Sequence, residues 1–150
     1  MKSPINALQD LIHLDMDAIN AYQKAIDACD HEPVAAQLRS FQGDHRRHVQ
    51  DLTAELTRLG EKADVRPDVK GFFIEGFTAL TSVGTRSALM SMKGNEHLTT
   101  SKYKAALELQ DLPESAKILL RKNYDDEVRH LRWIEDALQR KVWEGTAASP

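Results

Sequence analysis

Six ionisable residues, Asp15, His45, His48, Glu96, Glu127 and His130, stand where helical spacing otherwise sets Ile, Leu, Val and Tyr. Three carboxylates and three imidazoles on inward faces form the mixed oxygen and nitrogen set that divalent iron or manganese accepts. The bland alternative is a metal-free network in which the same groups hydrogen-bond one another. Burial sharpens the choice. Three buried carboxylates without an ion must be protonated or matched to imidazolium, because an unpaired buried charge is costly. A single core histidine such as His130 is commonly a hydrogen-bonded packing residue. His45 and His48 lie one turn apart on one face and have no evident packing role.

The elements that must position these groups follow from the apolar rhythm. Ile5, Leu8, Ile12, Asp15, Ile19, Tyr22, Ile26 and Cys29 recur by threes and fours, which predicts an amphipathic helix with Asp15 interrupting its buried row. A rotated stripe would bring Asp17 inward instead. Leu38, Phe41, His45, His48, Leu52, Glu55 and Leu59 give a second stripe. Leu89, Met92, Glu96, Thr99, Tyr103 and Ala106 give a third, and Leu120, Asn123, Glu127, His130, Ile134 and Ala137 a fourth. Asp44, Arg46 and Arg47 fall towards the flanks or solvent, Arg129 and Arg132 read as solvated, and His13, His31 and His97 lie beside or beyond the stripes.

Punctuation between the stripes sets the boundaries. Ser3 caps the first helix with Pro4 at its first position, and residues 30–33 form a short break. Gly60 stops the second helix, and a connection follows through Asp64 and Pro67. Phe73, Phe77 and Leu80 predict a short amphipathic helix ending at Gly84, where Thr85 caps a third long helix running to about Gln110. Asp111 and Glu114 are spaced as a capping box for the last helix, which is expected to end near Val142. No strand-like alternation of useful length occurs, so the expected class is all-α. The expected organisation is one domain over residues 1–144 with a frayed tail at 145–150. A helix of roughly 27 residues spans about 40 Å, and the stretch from Glu61 to Gly84 can travel most of that length. Helices two and three then run parallel.

A weak internal repeat supports two similar hairpins. Asp15 precedes Tyr22 by seven residues, as Glu96 precedes Tyr103. His48 follows Asp15 by 33 residues and His130 follows Glu96 by 34, with His45 and Glu127 three residues before each histidine. A pseudo-twofold axis would bring both sets to one level of the core.

Bulk properties exclude more than they assign. A chain of 150 residues, 41% hydrophobic and 29% charged, suits a compact fold with a real core. A formal charge of -3 and a pI near 6.1 give no electrostatic reason to expect nucleic acid or an anionic membrane surface as partner. The first residues lack the apolar run of a signal peptide, and no stretch approaches the ~20 apolar residues of a membrane span, so a cytoplasmic protein is expected. Cys29 is the one cysteine, which rules out an internal disulfide and a Cys-rich metal site and reads as a buried structural thiol. Phosphate-binding Gly-rich loops and a Ser-His-Asp order are absent from the sequence.

Leu14–Tyr22, Gly94–Tyr103 and Glu127–His130 carry a resemblance that extends over nearly the whole chain. The sequence resembles the ferritin-like superfamily of rubrerythrins and bacterioferritins, and more specifically is similar to a bacterial group of small ferritin-like proteins of unassigned function. That resemblance implies a four-helix bundle with a short extra crossover helix around a di-iron site. It implies Asp15 and Glu96 as terminal carboxylates, Glu127 as a bridging carboxylate, His48 and His130 as imidazole ligands, and supporting roles for Tyr22 and Tyr103. The implied activity is oxidation of ferrous iron by dioxygen or peroxide, of ferroxidase or peroxidase type, in iron handling or stress response. Two departures stand out: His45 where the pattern has Glu, and the shorter Asp15 where it has Glu. Three carboxylates do not neutralise two divalent ions, which leaves open a bridging hydroxide, a single ion, or manganese or zinc in place of iron. The rival from another class is a metal-free helical scaffold or partner-binding stress protein. Nothing specifies a 24-subunit cage, and a homodimer is the expected assembly.

Overall fold

The computed structural model describes residues 3–65 and 82–145. Four long helices, α1 (Pro4–Ala28), α2 (Glu32–Arg58), α3 (Thr85–Leu107) and α4 (Glu114–Arg140), form a bundle, and a single turn, α5 (Val142–Gly145), follows. No strand occurs among the described residues. The expected crossover helix around Phe73 and Phe77, and the tail after Gly145, lie outside the described residues.

Neighbouring helices run antiparallel. α1 packs most extensively on α2 and α3 on α4, and the two hairpins meet through α1 against α3 and α2 against α4. The amide of Gly84 donates to the carbonyl of Ala28, so α3 starts beside the end of α1 and therefore at the same end of the bundle as α2. Helices α2 and α3 are thus parallel, as the long connection between them requires.

Helix ends show where local chemistry was read correctly and where it was not. Ser3 accepts from the Asn6 amide at 3.2 Å with Pro4 following it, and Gly60 leaves α2 with φ +85°. Thr85 is not the cap of α3. Gly84 takes that place at φ +115°, and the buried Thr85 hydroxyl instead accepts from the Asp30 amide at 3.1 Å and donates to the Asp30 carboxylate at 2.7 Å. Thr85 is therefore a clamp between the α1–α2 turn and α3. No capping box forms at α4, because Pro113 occupies the cap position and leaves Asp111 two residues too early. Helix α4 stops at Arg140, where Lys141 turns left-handed at φ 50°.

Two apolar clusters fill the interior. One joins Tyr22, Leu38, Phe41, Leu89, Met92 and Ile134, and the other joins Leu8, Ile12, Leu52, Leu56, Tyr103 and Leu120. Cys29 is only partly buried at the edge of the first cluster, and burial pushes its thiol up from the ordinary range. Between the clusters lies a polar layer. No helix among the described residues is long and apolar enough to cross a membrane.

Candidate metal centre

Asp15, His45, His48, Glu96, Thr99, Asn123, Glu127 and His130 compose that layer, each at most 1% exposed. Periodicity places them there: each is three, four or seven residues from large apolar neighbours on its own helix. Asp15, and not the half-buried Asp17, faces the centre. The six candidates converge as two overlapping quartets, one of Asp15, His45, His48 and Glu127, the other of His45, Glu96, Glu127 and His130, with donor atoms in each within 4.8 Å of one another.

In the first quartet Asp15 Oδ1 lies 2.7 Å from His45 Nδ1 and 3.0 Å from His48 Nδ1, and Glu127 Oε1 lies 3.4 Å from His48 Nδ1 and 3.6 Å from His45 Nδ1. In the second, Glu96 Oε2 lies 2.8 Å from His130 Nδ1 and 3.4 Å from His45 Nε2, and Glu127 Oε2 lies 3.7 Å from His130 Nδ1. At metal–ligand distances of about 2.1 Å, adjacent donors of one ion sit about 3.0 Å apart in an octahedron and about 3.4 Å apart in a tetrahedron. Both quartets fall on that scale.

Two of the three carboxylates, Glu96 and Asp15, are held from the other hairpin. Tyr22 donates to Glu96 at 2.5 Å and Tyr103 to Asp15 at 2.5 Å, with Asn123 supporting the Tyr103 hydroxyl at 3.2 Å. Burial and the adjacent carboxylates drive both tyrosines well above their ordinary value, so they act as neutral donors. Thr99 Oγ1 lies 2.7 Å from Glu96 Oε1 and 3.1 Å from Glu127 Oε2. The Phe41 ring stacks on His130 at 4.2 Å between centroids.

Asp44, expected towards the flank or solvent, and Asp126, which the stripes do not single out, complete the arrangement. Asp126 lies 2.9 Å from His48 Nε2, and Asp44 lies 2.7 Å from His130 Nε2. Arg47 pairs with Asp126, and Arg129 donates to Asp44 at 2.7 Å. Arg47 and Arg129 are thus anchors of the histidine-holding acids and not merely solvated; Arg46 and Arg132 remain exposed. The missed signal is a second repeat, Asp-x-x-Arg-His at residues 44–48 and again at 126–130. His13, His31 and His97 take no part in either quartet.

Electrostatics follow from this packing. Burial pulls the His48 imidazole down, but the charge of Asp15, the bonds to Asp126 and Asp15, and the nearby Glu127 outweigh it and push it up to about 11. The same contest, won by Asp44, Glu127 and Glu96, lifts His130 to about 10, and Glu127 and Glu96 raise His45 well above its ordinary value. Among the acids, burial is overcome by the histidines at Asp15 and by Glu127 and His45 at Glu96, so both are lowered. Burial and the charge of Glu96 raise Glu127. Its Oε1 is buried without a hydrogen-bond partner, although two imidazole nitrogens lie within 3.6 Å. An unsatisfied buried acceptor of this kind requires an explanation, and a bound cation is one.

A family model described as "Domain of unknown function (DUF2383)" matches residues 3–109. The chain belongs to the DUF2383 family. No curated protein and no solved structure matches it. The DUF2383 match takes in α1, α2 and α3 with Asp15, His45, His48 and Glu96, whereas Glu127 and His130 lie beyond it on α4. The centre therefore needs a helix outside the matched span.

Asp44 and Asp126 provide the first test of the centre. Asp126→Asn removes the charged acceptor of His48 Nε2 while keeping the size of the side chain, and loss of such an outer carboxylate lowers metal affinity about 10–100-fold. Competition for zinc(II) against a chromophoric chelator is expected to show that loss in Asp126→Asn and, by the pseudo-twofold, in Asp44→Asn.

Proposed function

We propose that this chain is a ferritin-like metal protein whose polar layer binds two divalent ions, iron foremost, and supports oxidation of ferrous iron by dioxygen or peroxide. The observation that carries the reading is the unpartnered Glu127 Oε1, aimed between two imidazole nitrogens within a quartet of metal-ligand dimensions. Asp15, His48 and Glu127 would hold one ion and Glu96, His130 and Glu127 the other, with His45 next to both. Ferrous ions there would supply the electrons for reducing the oxidant. The chain itself contributes a site between two apolar clusters that exclude bulk water, tyrosines that fix the carboxylates, and outer acids that retain a proton on the histidine nitrogens facing away from the centre.

One observation favours the second reading, a metal-free structural network. Both ring nitrogens of His45, His48 and His130 already have carboxylate partners within 3.4 Å. Anaerobic titration of the purified chain with ferrous iron, followed by admission of air, separates the two. Two ions bound per chain, a higher melting temperature and growth of ferric absorption are the expected result. No uptake and unchanged melting would leave the network as a scaffold element.

A further inference from the structure

His45 and Glu127 belong to both quartets, and neither offers the same atom twice. Glu127 turns Oε1 to one side and Oε2 to the other. His45 divides its ring in the same way, with Nδ1 2.7 Å from Asp15 Oδ1 and Nε2 3.4 Å from Glu96 Oε2. The lone pairs of the two imidazole nitrogens diverge, so one ring cannot give both to a single ion, yet it can give one to each of two. The internal repeat sets His45 opposite Glu127 about the pseudo-twofold, three residues before His48 as Glu127 is before His130. A second shared carboxylate is replaced by a side chain that still reaches both sides.

Charge leads to the same point. The outer pairs, Asp44 with Arg129 and Asp126 with Arg47, cancel among themselves. Asp15, Glu96 and Glu127 set three negative charges against the four positive charges of two dications. An imidazole that has released both ring protons to solvent supplies the fourth. Building on the two-ion reading above, we propose that His45 is a bridging ligand, binding through Nδ1 the ion held with Asp15 and His48 and through Nε2 the ion held with Glu96 and His130. Such a bridge favours divalent metals that take imidazole readily, copper and zinc as well as iron, over magnesium or calcium.

Cupric ion is a suitable probe, because two copper spins joined through one imidazole ring couple antiferromagnetically. Copper(II) titrated into the full chain is expected to bind two per chain, with the low-temperature paramagnetic resonance intensity rising over the first equivalent and falling over the second. His45→Gln, checked for helicity, is expected to weaken the second copper at least tenfold and to restore one full spin per copper bound. Two coppers with two full spins in the unmodified chain would overturn the bridge while sparing the metal centre. Retained coupling in His45→Gln would overturn it as well, assigning the bridge to Glu127. Uptake of fewer than two ions would sink the two-ion reading and the bridge together, and the spin count and the uptake of the unmodified chain are decisive without any variant.

Discussion

The overall constant for binding two zinc(II) ions, the product of the two stepwise affinities, will rise about a thousandfold for each unit of pH between about 5.5 and 7.5. His48 and His130, pushed up to about 11 and about 10, and His45, raised well above its ordinary value, each carry an extra proton across that window in the metal-free chain. A histidine ligand must be neutral on the coordinating nitrogen, so binding expels three protons, and each contributes a factor of about ten per pH unit. Bridging by His45 releases a fourth and steepens the dependence to about ten-thousandfold per unit. The sign for stability is the opposite. Raised imidazoles stabilise the metal-free fold below about pH 6.5, the ordinary histidine value, and that contribution is lost as pH climbs through the elevated values. The lowered carboxylates Asp15, Glu96, Asp44 and Asp126 stabilise it above the ordinary range near pH 4 and cease to do so as pH falls. Calorimetry in buffers of different ionisation enthalpy counts the protons directly. A release of one proton or fewer would mean that the three histidines are not ligands.

Much of this arrangement was legible before any coordinates. Period-3.6 stripes sufficed for the four long helices, because a buried row leaves the same pattern whatever it packs against. The length of the segment between Gly60 and Thr85 was enough to make α2 and α3 parallel. The spacing of Asp15 with Tyr22 and Glu96 with Tyr103 flagged the pseudo-twofold, although not that each tyrosine bonds the carboxylate of the other hairpin. Contacts between hairpins depend on how the helices are rotated against one another, which periodicity alone does not fix.

Asp44 and Asp126 escaped for a related reason. Each lies four residues before a histidine of its own helix, but it bonds the histidine of the opposite one, so its role exists only across the α2–α4 contact. A residue at the margin of a stripe reads as solvated until the partner helix is in place. The ends of α3 and α4 were missed because cap chemistry is local and permissive: Gly84 and Pro113 suit the cap position as backbone units, which freed Thr85 to bind Asp30.

Glu127→Gln will drive binding and stability in opposite directions. The carboxylate belongs to both quartets, so its loss is expected to weaken zinc(II) binding by more than the roughly 10–100-fold that removal of an outer-shell acid costs. In the metal-free chain the same change relieves a strain. Glu127 is raised by burial and by Glu96, so it stabilises the fold only while protonated, below the ordinary glutamate range, and that contribution is lost as pH rises through its elevated value. Glutamine keeps the neutral form at every pH. Its amide nitrogen fits the place of Oε2, 3.1 Å from Thr99 Oγ1, whose own proton goes to Glu96 Oε1 at 2.7 Å. Its carbonyl keeps the place of Oε1 beside the two imidazoles. Urea denaturation with a chelator present is expected to show Glu127→Gln more stable than the parent near pH 7.5, because glutamine carries no buried charge there, with the difference gone near pH 4. A side chain selected only for a structural network has no reason to cost the fold stability at neutral pH. A destabilised Glu127→Gln would therefore favour the scaffold reading, and a stabilised variant that has lost its ions would identify Glu127 as a residue kept for binding.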